Sequence, residues 1–249
     1  MQDQQLLQKK KKPKKGIYIF PSMLTIGSIY CGFYALVKSF NLKWEVAGLW
    51  IIFAIILDTL DGRIARLTKT STEFGKELDS LADATSFGVV PSIILYNYSL
   101  KDLGKAGILL TFLYLTCGII RLARFNTLLP SISKAYFLGL PIPASASFIA
   151  LSLILKIPQN SLIYPISILI LSYLMVSTIP YPSFKELELK TMKPTFTLLS
   201  IVLLFLIVAF HPPLSLMLLL ITYYLSGPYL FFSKKLIKKK KEFNLFDET

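Results

Sequence analysis

The sequence predicts an all-α protein, a polytopic transmembrane helical bundle of about eight spans. Apolar runs near the ~20 residues needed to cross hydrocarbon recur along the 249-residue chain. The composition agrees: 54% of residues are hydrophobic, only 16% are charged, and the mean hydropathy is +0.60. The apolar runs are continuous and do not alternate, which excludes a β-barrel.

Residues 1–19 read as a basic cytoplasmic tail. Lys9–Lys12, Lys14 and Lys15 precede an apolar run, but no small-residue cleavage site follows, so this is not a signal peptide. A transmembrane catalytic region is expected over 20–232, with spans near 20–37, 45–66, 79–98, 104–125, 139–156, 161–179, 196–210 and 213–232. The first follows the basic tail and opens at Pro21. The second ends in, and the third begins with, paired aspartates, so these two face protein or water there. The fourth ends in Arg121, Arg124 and Asn126, and the fifth opens with Pro141 and Pro143, which suit helix initiation. The last two are separated by the tight turn at His211-Pro212-Pro213. A Lys-rich cytoplasmic tail over 233–249 closes the chain.

Charge orients the bundle. Lys+Arg outnumber Asp+Glu by 27 to 14. With both termini inside, the inner segments hold both lysine tails together with Arg63, Arg66, Lys69, Lys76, Arg121, Arg124, Lys134, Lys185, Lys190 and Lys193. The outer loops hold only Lys38, Lys43, Lys101, Lys105 and Lys156. Positive loops stay cytoplasmic, so the expectation is a multi-pass protein of the inner (cytoplasmic) cell membrane. The lysine runs Lys9–Lys12 and Lys238–Lys241 lack interleaved aromatic residues, which argues for no nucleic acid partner. Beside a bilayer, each lysine contributes about 1 kcal/mol of attraction to anionic membrane lipids.

Two segments carry the chemistry. Asp58 and Asp61 are three residues apart, and Asp79 and Asp83 four apart, so each pair shares one helix face. An intramembrane carboxylate is costly and seldom lacks a partner. Four around one volume call for cations, and oxygen-only ligands suit hard divalent ions, Mg²⁺ or Mn²⁺. No competing chemistry stands out. Cys31 and Cys117 read as buried free thiols, and the lone His211 lies in a turn with no nucleophile to serve.

The run Asp58-Thr-Leu-Asp61-Gly62-Arg-Ile-Ala65-Arg66, followed by Gly75, Asp79 and Asp83, matches D-x2-D-G-x2-A-R-x8-G-x3-D-x3-D at every defined position. This resembles the signature of the CDP-alcohol phosphotransferases. The resemblance implies two divalent ions, one held by Asp58, Asp61 and Asp79, the other by Asp58, Asp79 and Asp83. It also implies that Asp83 is the general base for an acceptor hydroxyl. A carboxylate shared between cations is a weak proton acceptor, so the ligand roles are the firmer expectation. Gly62 and Gly75 would leave room for the nucleotide and diphosphate. Ala65 would keep one helix face narrow, and Arg66 would bond phosphate or a neighbouring carboxylate.

Further segments resemble the phosphatidylserine synthases within that family. They are Pro21 to Phe33, Gly75 to Pro91, Arg121-Leu-Ala-Arg124-Phe-Asn126, Gly139 to Ala146 and Met175 to Lys185. Ser28 departs from the pattern, where Asn is expected. The resemblance implies CDP-diacylglycerol and L-serine as substrates, CMP as leaving group, and a homodimer. Arg121 and Arg124 lie three apart beside the metals, where an arginine fork suits the serine carboxylate. Positive-inside anchoring of span four is the other reading of the pair. Asn126 is either a polar contact or a helix-ending cap. Other acceptors remain open, namely glycerol 3-phosphate, inositol phosphate or choline, as does a transporter that uses acids for ion coupling. A doubly charged acceptor would want a denser basic pocket. A transporter would show mid-bilayer acids and a second copy of the motif.

Overall fold

A computed structural model describes residues 19–68, 72–128, 136–182 and 211–246. The N-terminal lysines, Lys134, the Lys185 loop and the expected span at 196–210 lie outside the described residues, as does the side chain of Arg66.

The described chain is helical, as its composition requires. α1 (Ile19–Phe40) and α2 (Trp44–Leu67) form a hairpin closed by a turn in which Leu42 adopts φ 58°. A continuous helical run then spans Glu73–Leu103, 31 residues long. It comprises α3 (Glu73–Asp83), a π-helical turn (Ala84–Val89), α4 (Val90–Leu95), a second π turn (Tyr96–Leu100) and a short 3₁₀ end (Lys101–Leu103). α5 (Lys105–Leu128), α6 (Ile142–Ile154), α7 (Ile163–Val176) and α8 (Pro212–Phe246) complete the bundle.

Seven of the eight expected spans coincide with helices among the described residues. α1, the Glu73–Leu103 run, α5 and the first part of α8 are long and apolar enough to cross a membrane. α2 has the length, 24 residues, but Asp58, Asp61 and Arg63 interrupt its apolar character. α6 and α7, at 13 and 14 residues, are apolar but shorter than the ~20 that span hydrocarbon.

Three boundaries differ from the sequence reading. The third helix begins at Glu73, ahead of the expected 79, because Thr72 caps it: the Thr72 hydroxyl oxygen accepts from the Gly75 N–H at 3.0 Å. Its first turns are polar, so hydropathy alone hides them. The last helix runs on to Phe246 through much of the expected tail, with Pro228 inside it. The third difference is a two-stranded antiparallel ribbon, β1 (Tyr136–Leu138) with β2 (Pro180–Pro182), paired Phe137 to Tyr181. Proline at both ends of β2 conceals it as a strand. Pro141 caps α6 and Pro143 lies in its first turn, the helix-initiating role expected of them.

Two close approaches seat this ribbon. Gly139 takes φ +75°, and a Cβ there would come within 2.4 Å of the Met175 carbonyl oxygen. Gly227 of α8 packs against the Tyr181 ring, where a Cβ would lie 2.5 Å from the ring. The ribbon, the ends of α5 and α7, the start of α6 and the Tyr223–Gly227 segment therefore meet at one end of the bundle. Several tyrosine hydroxyls buried in the bundle find partners across helices. The buried Tyr114 hydroxyl donates to the Phe87 carbonyl at 3.1 Å and lies 3.0 Å from Ser145 Oγ. Tyr224 donates to the Ala144 carbonyl at 2.7 Å, tying α8 to α6.

Candidate active site

α2 and α3 carry the carboxylates to that same end. Asp58 and Asp61 lie in the second half of α2, and Asp79 and Asp83 in the second half of α3. The polar opening of α3 matters here: it adds nearly two turns ahead of Asp79, so the acids sit within a formed helix and not at a fraying end.

Asp58, Asp61 and Asp79 each present one carboxylate oxygen, all within 4.8 Å of one another. Asp83 joins them, with its carboxyl group in hydrogen-bonding contact with that of Asp58. Asp83 Oδ1 is buried and lacks a hydrogen-bond partner among the described residues. Two facing carboxyl groups need a proton or a cation between them. The helix passes into its π turn at Ala84, directly after Asp83, and such turns are frequent at functional sites.

Asp61 is the most enclosed of the acids, 3% exposed. The Thr25 hydroxyl of α1 donates to its Oδ2 at 2.7 Å. Gly62 and Ala65 follow on α2, both half-buried. At Gly75 the backbone runs close to the helix cap, where a Cβ would press to 3.1 Å of the Thr72 hydroxyl oxygen.

The two arginines expected to act together do different things. Arg121 is 6% exposed and lies in the field of Asp83 and Tyr223, with its guanidinium 5.2 Å from the centre of the Phe125 ring. Its Nε is buried without a partner among the described residues. Arg124 is committed to backbone. Its Nη1 donates to the Val176 carbonyl at 2.8 Å, and its Nη2 to those of Ser177 at 2.8 Å and Leu138 at 3.3 Å. Arg124 thus caps the C-terminus of α7 and fastens it to β1, as a cation at a helix C-terminus is suited to do. Two residues on, the Asn126 amide donates to Ser80 Oγ at 2.8 Å, joining α5 to α3 between Asp79 and Asp83. Asn126 is therefore a polar contact.

Three partners of the site escaped the sequence reading: Thr25, Ser80 and Tyr223. Thr25 and Ser28, three apart and buried within an otherwise apolar helix, were the available signal for α1. Nothing local marked Tyr223, which reaches the site only through the docking of α8.

Carboxylates at 4.8 Å or less repel strongly at the low dielectric of a helix bundle. Arg121 is the one buried cation among the described side chains. An all-oxygen donor set with an unsatisfied Oδ1 fits hard divalent ions, so the residues present suit a metal centre.

The site is a cluster of carboxylates fit for a hard divalent cation, carried at one end of a bundle of apolar, membrane-length helices. The family model described as CDP-alcohol phosphatidyltransferase matches residues 18–180, and the chain belongs to that family. It is 38% identical over 208 residues to the Helicobacter pylori (strain 26695) CDP-diacylglycerol–serine O-phosphatidyltransferase, covering 81% of this chain and 86% of that protein. The Bacillus subtilis protein of the same name is 38% identical over 166 residues, 67% of this chain and 91% of its own length. That of Methanocaldococcus jannaschii is 40% identical over 134 residues, 54% of this chain and 62% of the relative.

Proposed function

We propose that the chain is a CDP-diacylglycerol–serine O-phosphatidyltransferase. The serine hydroxyl oxygen bonds to the phosphatidyl phosphorus of CDP-diacylglycerol, the bond from that phosphorus to the CMP phosphate breaks, and phosphatidylserine and CMP result. The observation that carries this reading is the convergence of the Asp58, Asp61 and Asp79 carboxylate oxygens, from two helices, within the complete family signature.

Asp58, Asp61, Asp79 and Asp83 would hold two divalent ions, Mg²⁺ or Mn²⁺. When bound, the ions would offset the charge of the diphosphate and of the departing phosphate. Asp83, with a free Oδ1, accepts the proton of the serine hydroxyl. Gly62, Ala65, Gly75 and Arg66 line the nucleotide and diphosphate side. Arg121 takes the serine carboxylate: it is buried, its Nε is unpartnered, and it lies beside Asp83, so acceptor carboxylate and hydroxyl can be held together. The rings of Phe125 and Tyr223 would wall this pocket. Arg124, tied to three carbonyls, positions the end of α5 and does not reach for substrate. A single buried guanidinium suits a monoanionic carboxylate better than a phosphate dianion, which disfavours glycerol 3-phosphate or inositol phosphate as acceptor.

The positive-inside pattern supports an inner-membrane protein with both termini and the carboxylates facing the cytoplasm, where serine is available. By resemblance, it works as a homodimer. The test is a product assay: CDP-diacylglycerol with each candidate acceptor and Mg²⁺ or Mn²⁺, reading the phospholipid made. Phosphatidylserine with equimolar CMP is the expected outcome. A product from another acceptor alone would overturn the serine assignment, and metal-independent turnover would overturn the site.

A further inference from the structure

We infer that Thr25, on α1, is a positioning residue of the metal centre, fixing Asp61 as a ligand through its second carboxylate oxygen. This inference rests on the metal reading of the four aspartates.

Three features carry it. Thr25 is 4% exposed and its Oγ1 donates to Asp61 Oδ2 at 2.7 Å, the length of a strong bond to a carboxylate. The contact joins residues 36 apart in sequence, on different helices, so it is a feature of the packing and not of helix geometry. Threonine in a helix usually returns its hydroxyl to a carbonyl one turn back, as Thr59, Thr85 and Thr127 do here. The Thr25 hydroxyl reaches across to α2.

The consequence follows from the carboxylate's geometry. A short aspartate can rotate and offer either oxygen, or both, to a cation. With Oδ2 held by the Thr25 hydroxyl, rotation of the Asp61 carboxylate is restrained and its other oxygen is the one left for a cation. The hydroxyl also places a donor, not a bare methyl, against a carboxylate that is 3% exposed. Donors behind a metal ligand orient it and tune its affinity, and their loss commonly costs 10–100-fold in metal affinity or activity. α1 carries no carboxylate in its span, so this is its route into the chemistry.

Mn²⁺ binding to purified, detergent-solubilised full-length protein tests the inference, read by electron paramagnetic resonance without substrate. Thr25→Val keeps the side chain's shape and removes the donor. Its Mn²⁺ affinity should fall about 10–100-fold. The metal concentration for half-maximal turnover should rise by the same factor, while turnover at saturating metal recovers. Since Thr25→Val can disturb packing, Thr25→Ser and Thr25→Cys are compared directly. Both lose the methyl, but only serine keeps a strong donor. Serine should bind Mn²⁺ near the parent affinity, with cysteine well below it. Equal affinities for serine and cysteine, or a parent-like Thr25→Val, would overturn the role of Thr25. Asp61→Asn separates the two levels of the argument. If it abolishes tight Mn²⁺ binding while Thr25→Val does not, only the Thr25 inference fails. If Asp61→Asn binds Mn²⁺ as the parent does, the metal reading itself fails.

Discussion

Replacing Arg121 and Arg124 one at a time separates recognition from scaffolding. Arg121 is buried beside Asp83 with an unpartnered Nε, whereas Arg124 satisfies three carbonyls at the end of α7 and on β1. A charge-assisted hydrogen bond contributes about 1.5–3 kcal/mol, or roughly ten- to a hundredfold in affinity. Arg121→Ala should therefore raise the KM for serine by about that factor and leave the KM for CDP-diacylglycerol within about twofold. Arg121→Lys should recover part of the loss, because a point charge lacks the guanidinium fork. Arg124→Ala should spare the serine KM and lower stability. The loss should be about 1–3 kcal/mol, as two of the three carbonyls belong to a helix end that water can reach. The assay is incorporation of labelled serine into lipid at saturating CDP-diacylglycerol, paired with thermal unfolding of each purified variant. If Arg121→Ala weakens CDP-diacylglycerol and spares serine, Arg121 holds the diphosphate and the acceptor pocket lies elsewhere. If Arg124→Ala raises the serine KM at unchanged stability, the division of labour is wrong.

The four aspartates should behave as one unit: Asp58→Ala, Asp61→Ala and Asp79→Ala should each lose orders of magnitude in turnover while the protein still inserts, and EDTA should silence the parent. Activity surviving chelation would refute the metal centre. Asp83→Asn should retain CDP-diacylglycerol binding with collapsed turnover, and near-parent turnover would remove Asp83 as proton acceptor. Cysteine labelling at Lys12, Lys134 and Lys241 should report the inner side and at Lys101 the outer. An external signal from Lys134 would put Arg121 and the carboxylates on opposite faces.

Much of this protein is legible in its linear order. Apolar runs of bilayer length specify a helical bundle, because only internally hydrogen-bonded helices tolerate hydrocarbon in this pattern. The spacing of Asp58 to Asp83 specifies paired carboxylates on helix faces, because a three- or four-residue step returns to the same side of a helix. What periodicity cannot supply is the rotation and depth of one helix against another. Arg121 and Arg124 share a face by count, yet packing sends one toward Asp83 and the other to the end of α7. Thr25 meets Asp61 across 36 residues, and Tyr223 reaches Arg121 from a helix about a hundred residues later. The β1–β2 ribbon forms between two segments that look like loops, because its partners are far apart in the chain and its prolines mimic turns. The reactive groups are therefore a property of the sequence. Their division into ligands, orienting donors and scaffold is a property of the packing, where side-chain direction is decided by contacts between distant segments.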